Sequence, residues 1–348
     1  MNEPSASLAH GLPKILLHEH LDGGLRPATL LELLRKKKLP CPADTPEALA
    51  AWFDANAHAG SLEKYLEGFA LTVAAMADLD ALWRVALEAA EDSRLENALL
   101  GEFRIAPLLF EPYGLNIDHV VDAMLIGLSG SPLISGLIVC GMRHLPPEEV
   151  ERAAALAIRW KDRGVIGFDL AGAEFGHPPE KHARALAMCR EAGLALTLHA
   201  GEADGPERVV EAARLGARRI GHGVALAQAL ADPARRWMVD EIKERGVHLE
   251  VCPTSNVHTG AARSVAEHPI RALWDAGVSL SFNTDNRLMS RISQTDEAEV
   301  LIRDAGFTPG DLLRMSMHGA KANFIHPDFG WQFEYRARQH AEANGIAL

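Results

Sequence analysis

Cysteine is scarce in this chain of 348 residues, which holds only four. Cys41, Cys140, Cys189 and Cys252 lie far apart, and no two of them form a C-x-x-C pair. The spacing therefore argues against a disulfide framework and against a zinc site built from thiolates. We expect all four to be small buried apolar side chains in a protein of a reducing compartment.

Positive charge is also in short supply. The chain has 35 Lys and Arg against 47 Asp and Glu, a formal net charge of −12. A surface that binds nucleic acid or anionic lipid needs clustered Lys and Arg. The only basic run, residues 36–38, is typical of a solvated helix end. The composition therefore predicts no nucleic-acid partner.

Long apolar runs are absent as well. No stretch approaches the roughly 18 apolar residues that a membrane-spanning helix requires. The residues before Ile15 are polar and acidic, unlike a targeting segment with a basic start and an apolar core. We expect a soluble cytoplasmic protein with no membrane partner.

Short apolar runs, in contrast, are regular along the chain, and many contain β-branched residues. Segments of helical period separate most of them, and these carry acidic residues early and Lys or Arg late, as a helix dipole favours. The eight runs are 14–18, 101–106, 134–140, 165–170, 195–199, 218–222, 247–252 and 278–283. Eight successive strand–helix units predict an α/β fold, a closed (β/α)8 TIM barrel, with residues 1–348 as one domain.

The segment from Pro42 to Leu99 is too long for one strand–helix connection, so we expect a helical insertion there, after strand 1. Leu62, Tyr65, Leu66 and Phe69 follow a helical spacing within it. Such a stripe usually faces a protein core. A hydrophobic lid over the opening of the barrel, where these side chains contact substrate, is the alternative that its position favours.

Four fragments that carry histidine or aspartate end or follow these strand-like runs. They are His18-Glu19-His20, His199-Ala200-Gly201-Glu202, Gly221-His222-Gly223 and Asn283-Thr284-Asp285-Asn286. Active residues of this barrel come from the carboxyl ends of different strands. A lone His-x-His is better explained by two half-buried strand histidines. Four fragments at four such ends instead predict a metal site.

The ligands of this site are predicted to be His18, His20, His199 and Asp285. Side chains two apart on a strand point the same way, so His18 and His20 can bind one ion. Three imidazoles and one carboxylate suit Zn²⁺, with one position left for water whose pKa the ion lowers from 15.7 to about 7. Strand 4 ends without a Lys that could bridge two metals, so we expect one ion per chain.

Two further residues of these fragments suit proton transfer. Glu202 follows His199 by three residues, beyond a glycine that permits a tight turn, and is the candidate proton carrier. His222 lies between glycines and can orient the metal-activated water or act as its base.

Six motifs in this order resemble the adenosine deaminase family of the amidohydrolase superfamily. They are His-Glu-His-Leu-Asp-Gly-Gly (18–24), Asp-Leu-Ala-Gly (169–172), His-Ala-Gly-Glu (199–202), Gly-His-Gly (221–223), Cys-Pro-Thr-Ser-Asn (252–256) and Asn-Thr-Asp-Asn (283–286). The resemblance implies hydrolytic deamination of a 6-aminopurine nucleoside. It makes Glu202 the donor to purine N1, His222 the group that faces the attacking water, and Gly172 a backbone contact to the purine. It also implies that Asp285 serves both as a ligand and as a hydrogen-bond acceptor for that water.

The chain departs from the family pattern at two positions. Many relatives carry a second Asp after the metal-binding one, whereas this chain has Asn286, whose amide can donate to purine N7 without first being protonated. Ala106 stands before Pro107 where relatives often have Ser, which removes a hydroxyl on the sugar side of the pocket. These departures affect the choice of substrate more than the reaction type.

Asp22 bears on the same choice. A turn Asp before two glycines is a common use of the residue, but in the family this position suits the ribose 5′-hydroxyl, and free-adenine deaminases tend to have Glu there. Adenosine or 2′-deoxyadenosine is thus the predicted substrate. Aminodeoxyfutalosine or adenine is the enzymatic alternative, and a nucleoside-binding protein without turnover is the alternative of another class.

Overall fold

Eight parallel strands form one sheet in which each strand pairs with the next along the chain. The computed structural model describes residues 8–58 and 62–348, with the backbone alone for residues 62–67. The strands are β1 Lys14–His20, β2 Ala98–Ile105, β3 Ile134–Met142, β4 Val165–Ala171, β5 Ala195–Ala200, β6 Arg219–His222, β7 His248–Val251 and β8 Leu280–Phe282. All eight predicted runs are strands, and the prediction of a TIM barrel is confirmed.

The ends of the sheet are joined by the residues that follow β8. Glu19 and Asp285 form a parallel bridge. The backbone N–H of His20 donates to the carbonyl of Asp285 at 2.8 Å, and that of Asp285 donates to the carbonyl of His18 at 3.0 Å. The side chain of Asn283 adds a bond from the N–H of Leu17, at 2.8 Å. The contact that closes the barrel therefore aligns three of the predicted ligands.

Helices surround the sheet and cover its outer face, which explains why the strands are apolar runs rather than alternating ones. They are α1 Leu8–Gly11, α2 Pro27–Lys37, α3 Pro46–Ala57, α4 Leu62–Met76, α5 Leu79–Leu95, α6 Ile117–Ser129, α7 Pro147–Trp160, α8 Ala183–Glu191, α9 Pro206–Arg214, α10 Leu226–Ala231, α11 Trp237–Glu244, α12 Pro253–His258, α13 Ile270–Asp275, α14 Arg287–Ser290, α15 Gln294–Asp304, α16 Pro309–Ala322 and α17 Phe329–Ala343. Short 3-10 turns occupy Leu21–Gly23, Pro107–Tyr113, Lys161–Arg163 and Pro179–His182.

Local sequence signals start several of these helices. Thr45 accepts from the N–H of Ala48 at the start of α3, and Asp78 accepts from that of Ala81 at the start of α5. Reciprocal capping boxes at Ser293 and Thr308 begin α15 and α16. Each such bond satisfies a helix N–H that has no partner within the helix.

The helices between β1 and β2 divide by what they contact. Helix α5 packs on α6 and β2 and so belongs to the outer ring of the barrel. Helix α4 contacts the turns after β1 and β2, and α3 contacts α14, which follows β8. Helices α3 and α4 thus lie over the carboxyl ends of the strands. The predicted 42–99 insertion also contains α5 and the first residues of β2, which belong to the barrel and do not face its opening.

Cysteine exposure corrects one expectation. Cys140, Cys189 and Cys252 are buried as predicted, but Cys41 is exposed. It follows the end of α2 in a connection whose residues are mostly in contact with solvent, so the helical period that buries an apolar side chain has already ended there. Among the described helices, none combines the length and the apolar character that a bilayer crossing requires.

Candidate metal centre and active site

The four predicted ligands meet at the carboxyl end of the barrel. His20 Nε2 lies 3.3 Å from His199 Nε2 and 3.5 Å from Asp285 Oδ1. His18 Nε2 lies 3.3 Å from the same Asp285 oxygen. These are the separations expected of donor atoms that share one ion, since ligands about 2.0–2.2 Å from Zn²⁺ lie a little over 3 Å apart in a tetrahedron. The strand ends therefore bring together the set that the sequence predicted.

One atom of this set indicates that a cation fits there. The Nδ1 of His18 lies 2.9 Å from the Glu250 carboxylate, which leaves the lone pair of the ring on Nε2. That Nε2 is buried and makes no hydrogen bond within the part of the chain that the structure describes. Burying a polar atom without a partner is costly. A metal ion at this point would satisfy it.

A second imidazole is held in the same way. His199 Nδ1 lies 3.0 Å from the carboxylate of Asp169, on β4. Arg104, fully buried on β2, joins the two carboxylates: Nη1 donates to Asp169 at 2.7 Å and Nη2 donates to Glu250 at 2.7 Å. Both of these predicted ligands are thus oriented by acceptors on other strands, β4 and β7, that are themselves fixed by one guanidinium.

This arrangement continues through the interior of the barrel. Glu250 also accepts from Arg219 Nε at 2.6 Å and from Thr197 Oγ1 at 2.8 Å. Burial alone would raise the pKa of Glu250, but Arg104 and Arg219 outweigh it and hold the pKa well below its ordinary value. Burial acts likewise on Asp169, where His199 and Arg104 keep the pKa low. Both groups are therefore carboxylates that accept hydrogen bonds at neutral pH.

Asp285 takes an unusual backbone conformation to reach the centre. Its φ is +61°, a left-handed value that side chains other than glycine seldom adopt. Its Oδ2 accepts from Ser255 Oγ at 2.5 Å, which directs Oδ1 toward the histidines. Burial opposes ionisation, yet His18 and its neighbours hold the pKa of Asp285 well below its ordinary value. Strain of this kind is characteristic of functional sites.

His222 shares this feature, with a φ of +65° at the end of β6. Ligand atoms of His18, His199, His222 and Asp285 lie within 4.8 Å of one another, so His222 is as close to the centre as a ligand would be. Gly221 makes this approach possible, because a Cβ there would lie 2.9 Å from Cε1 of His18. Distance alone does not separate the roles of His20 and His222.

A chain of hydrogen bonds distinguishes the role of His222 from that of His20. The backbone N–H of Ile270 donates to His268 Nδ1 at 3.0 Å, so the neutral ring carries its proton on Nε2. Burial lowers the pKa of His268 to about 3, which keeps the ring neutral. His268 Nε2 lies 3.2 Å from Asn256 Oδ1 and therefore donates to it.

The same chain sets the proton of His222. Because Oδ1 of Asn256 faces His268, its Nδ2 faces Nδ1 of His222, at 3.0 Å, and donates to it. A neutral His222 then carries its proton on Nε2. That nitrogen has no lone pair for a metal, whereas the N–H is suited to hold a water or substrate oxygen. The geometry favours His20 over His222 as a ligand.

Glu202 lies beside His222 at the edge of the site. Its Oε2 is 3.5 Å from His222 Nε2, and its Oε1 accepts from Thr259 Oγ1 at 2.8 Å and from Asn256 Nδ2 at 3.3 Å. The carboxyl group is partly exposed, with 21% of its side chain accessible. A small molecule at the opening of the barrel can therefore reach it, while His18, His199 and Asp285 are buried.

The loop that carries Glu202 is fixed by a carboxylate. Glu174, which is buried, accepts from the backbone N–H groups of Gly201 at 2.6 Å, Glu202 at 3.0 Å and Ala203 at 2.8 Å. Arg143 Nη2 donates to the carbonyl of His199 at 2.8 Å. The backbone from the ligand His199 to Glu202 is thus held on both sides.

The residues assigned to substrate lie around this centre to differing degrees. Asp22 is buried in the turn after β1, and burial raises its pKa to about 7. Asn286 directly follows the ligand Asp285 and is buried. Gly172, at the end of β4, has a φ of +91° and is exposed. The side chains of Leu62, Tyr65 and Leu66 lie outside the described residues, and Phe69 on α4 is half-buried.

Sequence reasoning missed the residues that support the centre. Asp169 and Asn256 lie within motifs that were noted for the family, but no role was given to either. Glu174, Glu250 and His268 had no motif. Their only signal was a charged or imidazole side chain within or next to an apolar strand or helix. Such a residue is rarely buried without a partner.

The sequence of the chain is similar to those of known adenosine deaminases. The family model described as adenosine deaminase matches residues 13–330. An adenosine deaminase of Mycobacterium tuberculosis is 42% identical over 329 residues, which are 90% of this chain and 90% of that protein.

Solved structures resemble the whole chain in fold. An amidohydrolase from Burkholderia ambifaria with bound Zn superposes with a TM-score of 0.85 at 23% identity, covering 99% of this chain and 97% of the other. An adenine deaminase from Arthrobacter aurescens gives a TM-score of 0.84 at 21% identity, covering 95% and 99%. At these identities the likeness concerns the fold.

Proposed function

Since the chain belongs to the adenosine deaminase family, we propose that it converts adenosine and 2′-deoxyadenosine into inosine and 2′-deoxyinosine with one Zn²⁺ per chain. Its relatives make it a hydrolase that deaminates adenosine-like substrates. The observation that carries the finer proposal is the convergence of His18, His20, His199 and Asp285 beneath Glu202 and His222.

His18, His20, His199 and Asp285 would hold the ion. The Nε2 of His18 has no hydrogen-bond partner among the described residues, and a donor set of imidazoles and one carboxylate fits a borderline ion such as Zn²⁺. Burial lowers the pKa of His20 well below its ordinary value, which keeps this ring in the neutral form that a ligand requires. A bound Zn²⁺ lowers the pKa of a coordinated water to about 7, which supplies a nucleophile at neutral pH.

The remaining steps fall to side chains of the chain. Glu202 in its protonated form donates to purine N1, which makes C6 electrophilic. His222 donates its Nε2–H to the attacking water and holds it on one side of C6, while Asp285 accepts from the same water. Addition of water at C6 is followed by cleavage of the bond to the exocyclic nitrogen. One proton of the added water passes by way of Asp285 to the exocyclic nitrogen, which leaves as ammonia. The other proton returns to Glu202 as C6 becomes a carbonyl.

The choice of a nucleoside rests on Asp22 and Asn286. Among the described residues, the buried Asp22 Oδ1 has no hydrogen-bond partner, so a ribose 5′-hydroxyl is a suitable donor to it. We assign the Asn286 amide to purine N7 and the Gly172 backbone to the purine edge. The apolar stripe of Leu62, Tyr65, Leu66 and Phe69 would cover the ligand from α4.

One assay tests the reaction and the substrate together. Ammonia release would be measured with adenosine, 2′-deoxyadenosine, adenine and a 5′-enlarged aminopurine nucleoside, before and after chelation and return of Zn²⁺. We expect the two nucleosides to give the highest kcat/KM and chelation to abolish turnover reversibly. Faster turnover of adenine or of the enlarged nucleoside would overturn the substrate. Binding without ammonia release from any of them would overturn catalysis.

A further inference from the structure

Two histidines from distant parts of the chain meet on the rim of the barrel, away from the metal centre. His58 follows α3, in the segment between β1 and β2, and His258 is the last residue of α12, after β7. Their ring centroids lie 4.1 Å apart at an interplanar angle of 65°. Asp54, one turn before His58, completes a group whose ligand atoms lie within 4.8 Å of one another. We call Asp54, His58 and His258 the rim cluster.

The tautomer of His58 is fixed. Its Nδ1 lies 2.8 Å from the backbone carbonyl of Asp54, and a carbonyl can only accept, so Nδ1 carries the proton. The lone pair of the ring is therefore on Nε2. Histidine ligands in proteins commonly have this arrangement, in which one ring N–H donates to a carbonyl or carboxylate and the other nitrogen binds the metal. His58 is oriented as a ligand before any ion arrives.

His258 is in the ligand form as well. It is half-buried, and burial together with the nearby His58 lowers its pKa to about 4. Its Nδ1 lies 3.3 Å from Ser290 Oγ, at the end of α14, which holds the ring in place. The neutral ring of His258 thus faces the ring of His58. The side chain of His58 is 53% exposed and that of Asp54 36% exposed, so an ion can reach them from solvent.

We propose that the rim cluster is a second binding site for a borderline divalent cation such as Zn²⁺. Two imidazole nitrogens and one carboxylate oxygen match the donors that Zn²⁺ takes, with water completing the shell. The Asp54 carboxylate lies 3.4 Å from the Nδ1 of His58, and rotation of this exposed side chain turns an oxygen toward the Nε2 side of the ring, where the two histidines meet. We expect this site to be weaker than the buried centre, since its donors are less enclosed.

An ion in this site would join two parts of the fold. Helix α3 lies over the carboxyl ends of the strands, and α12 belongs to the barrel. The residue after His258, Thr259, donates to Glu202. A cation that links His58 to His258 would therefore tie α3 to the segment that holds the side chain of Glu202. Because the ion binds the folded state, it also raises the stability of the protein.

Zinc stoichiometry of the whole protein tests the site. The parent, with its resident metal retained, would be dialysed against increasing Zn²⁺ and its metal content measured. We expect one more equivalent to bind in the parent than in His58→Ala or His258→Ala, and a rise in Tm on its binding that neither variant shows. His119→Ala, which removes an exposed histidine on α6, is the matched control and should bind as the parent does.

The outcomes separate this proposal from the proposed function. A chain without metal at the buried centre would still show the difference of one equivalent between parent and variants. Equal zinc content in the parent and both variants would overturn the rim site, whatever the activity. His58→Gln keeps a side chain of similar length and so disturbs the fold less than His58→Ala. It should also fail to bind the additional equivalent of Zn²⁺.

Discussion

The Nδ1 atom of His18 lies 2.9 Å from the carboxylate of Glu250, a residue 232 positions further along the chain. This contact spans the barrel from β1 to β7 and fixes the ring so that Nε2 faces the metal centre. Glu250 in turn accepts from two buried arginines, Arg104 and Arg219. The orientation of this predicted ligand thus depends on charged groups outside the predicted set of metal and substrate contacts.

Replacing Glu250 should weaken both metal binding and folding. In Glu250→Gln, the carboxylate is lost and two buried guanidinium groups lose part of their compensation, which costs about 3–5 kcal/mol of unfolding free energy. Loss of a partner behind a metal ligand typically lowers metal affinity by about 10- to 100-fold. Chelator competition and urea unfolding measure the two effects.

Two further variants make that result interpretable. Thr197→Val removes only one of the hydrogen bonds to Glu250 and should fold, with a smaller loss of metal affinity. Glu244→Gln changes an exposed carboxylate on α11 and serves as the control. Unchanged metal affinity in both Glu250→Gln and Thr197→Val would show that Glu250 does not orient His18.

Glu202→Gln should separate catalysis from binding. The amide keeps the size of the side chain and its contact with Thr259, but it has no acidic proton for purine N1. We expect metal content and nucleoside binding close to those of the parent and turnover lower by at least about 10²-fold, the low end for a positioned proton donor. Steady-state kinetics with metal analysis checks this. Full turnover would remove Glu202 from the mechanism.

The chain from His268 to His222 predicts an effect at a distance. In Asn256→Asp, both side-chain oxygens accept, so the proton of His222 should move from Nε2 to Nδ1. We expect kcat to fall at least about 10-fold with little change in metal content, as when the tautomer of a catalytic histidine is wrong. Nitrogen-15 NMR of the imidazoles reports the tautomer directly.

His268 offers a rescue experiment on the same chain. His268→Ala removes the donor to Asn256 Oδ1, so the amide can turn and kcat should fall. His268→Gln can accept from the N–H of Ile270 and donate to Asn256, and should recover part of the loss. Equal kcat in His268→Ala and the parent would contradict the role of this chain.

The fold and the grouping of the predicted metal-site residues could be predicted from the sequence because they depend on local patterns. Each strand is an apolar run with turn residues after it, and a barrel of eight such units places its strand ends together. That rule groups His18, His20, His199, His222 and Asp285, although it does not separate the roles of His20 and His222. Boundaries were less accurate: β2 begins at Ala98, since residues that continue a helix and residues that start a strand are alike in apolar character there.

The residues that orient the site could not be predicted from the sequence, because their contacts depend on tertiary packing. The pairs His18–Glu250 and His199–Asp169 depend on which strand residues point inward and on the register between strands. The left-handed backbone of His222 and Asp285 likewise cannot be predicted from either residue type. His58 and His258 meet only because α3 lies over the barrel, a packing that no spacing in the sequence encodes.

The stability of the protein should depend on pH through Glu297. Burial raises the pKa of this carboxyl, which lies on α15 and accepts from the N–H of Thr254, to about 8. In the unfolded chain its pKa is about 4.3. The folded state therefore holds the proton more tightly, and the contribution to stability is complete below about pH 4.3 and lost as pH rises to about 8.

Glu297→Gln is neutral at every pH and removes this dependence. Relative to the parent, the variant should gain on the order of 1 to 3 kcal/mol of unfolding free energy between about pH 5.5 and about pH 8.5. Urea unfolding at both values measures it. Glu299→Gln, on the same helix but without the contact to Thr254, is the matched control. Parallel pH profiles of the parent and Glu297→Gln would contradict the assignment.

Asn286 provides the sharpest test of how the purine is held. Its side chain packs where Gly23 has none: a Cβ at Gly23 would lie 1.9 Å from Asn286 Oδ1. The amide is therefore fixed in place next to the ligand Asp285. If it donates to purine N7, Asn286→Ala should weaken adenosine binding by about 10-fold, the value of one well-made hydrogen bond. The affinity for 7-deazaadenosine, which has no N7 acceptor, should change much less.

Gly23→Ala, which displaces the amide without removing it, should likewise weaken binding of adenosine more than binding of 7-deazaadenosine. Competitive inhibition constants measured for both nucleosides with each variant decide the matter, and equal losses for the two would place Asn286 away from N7.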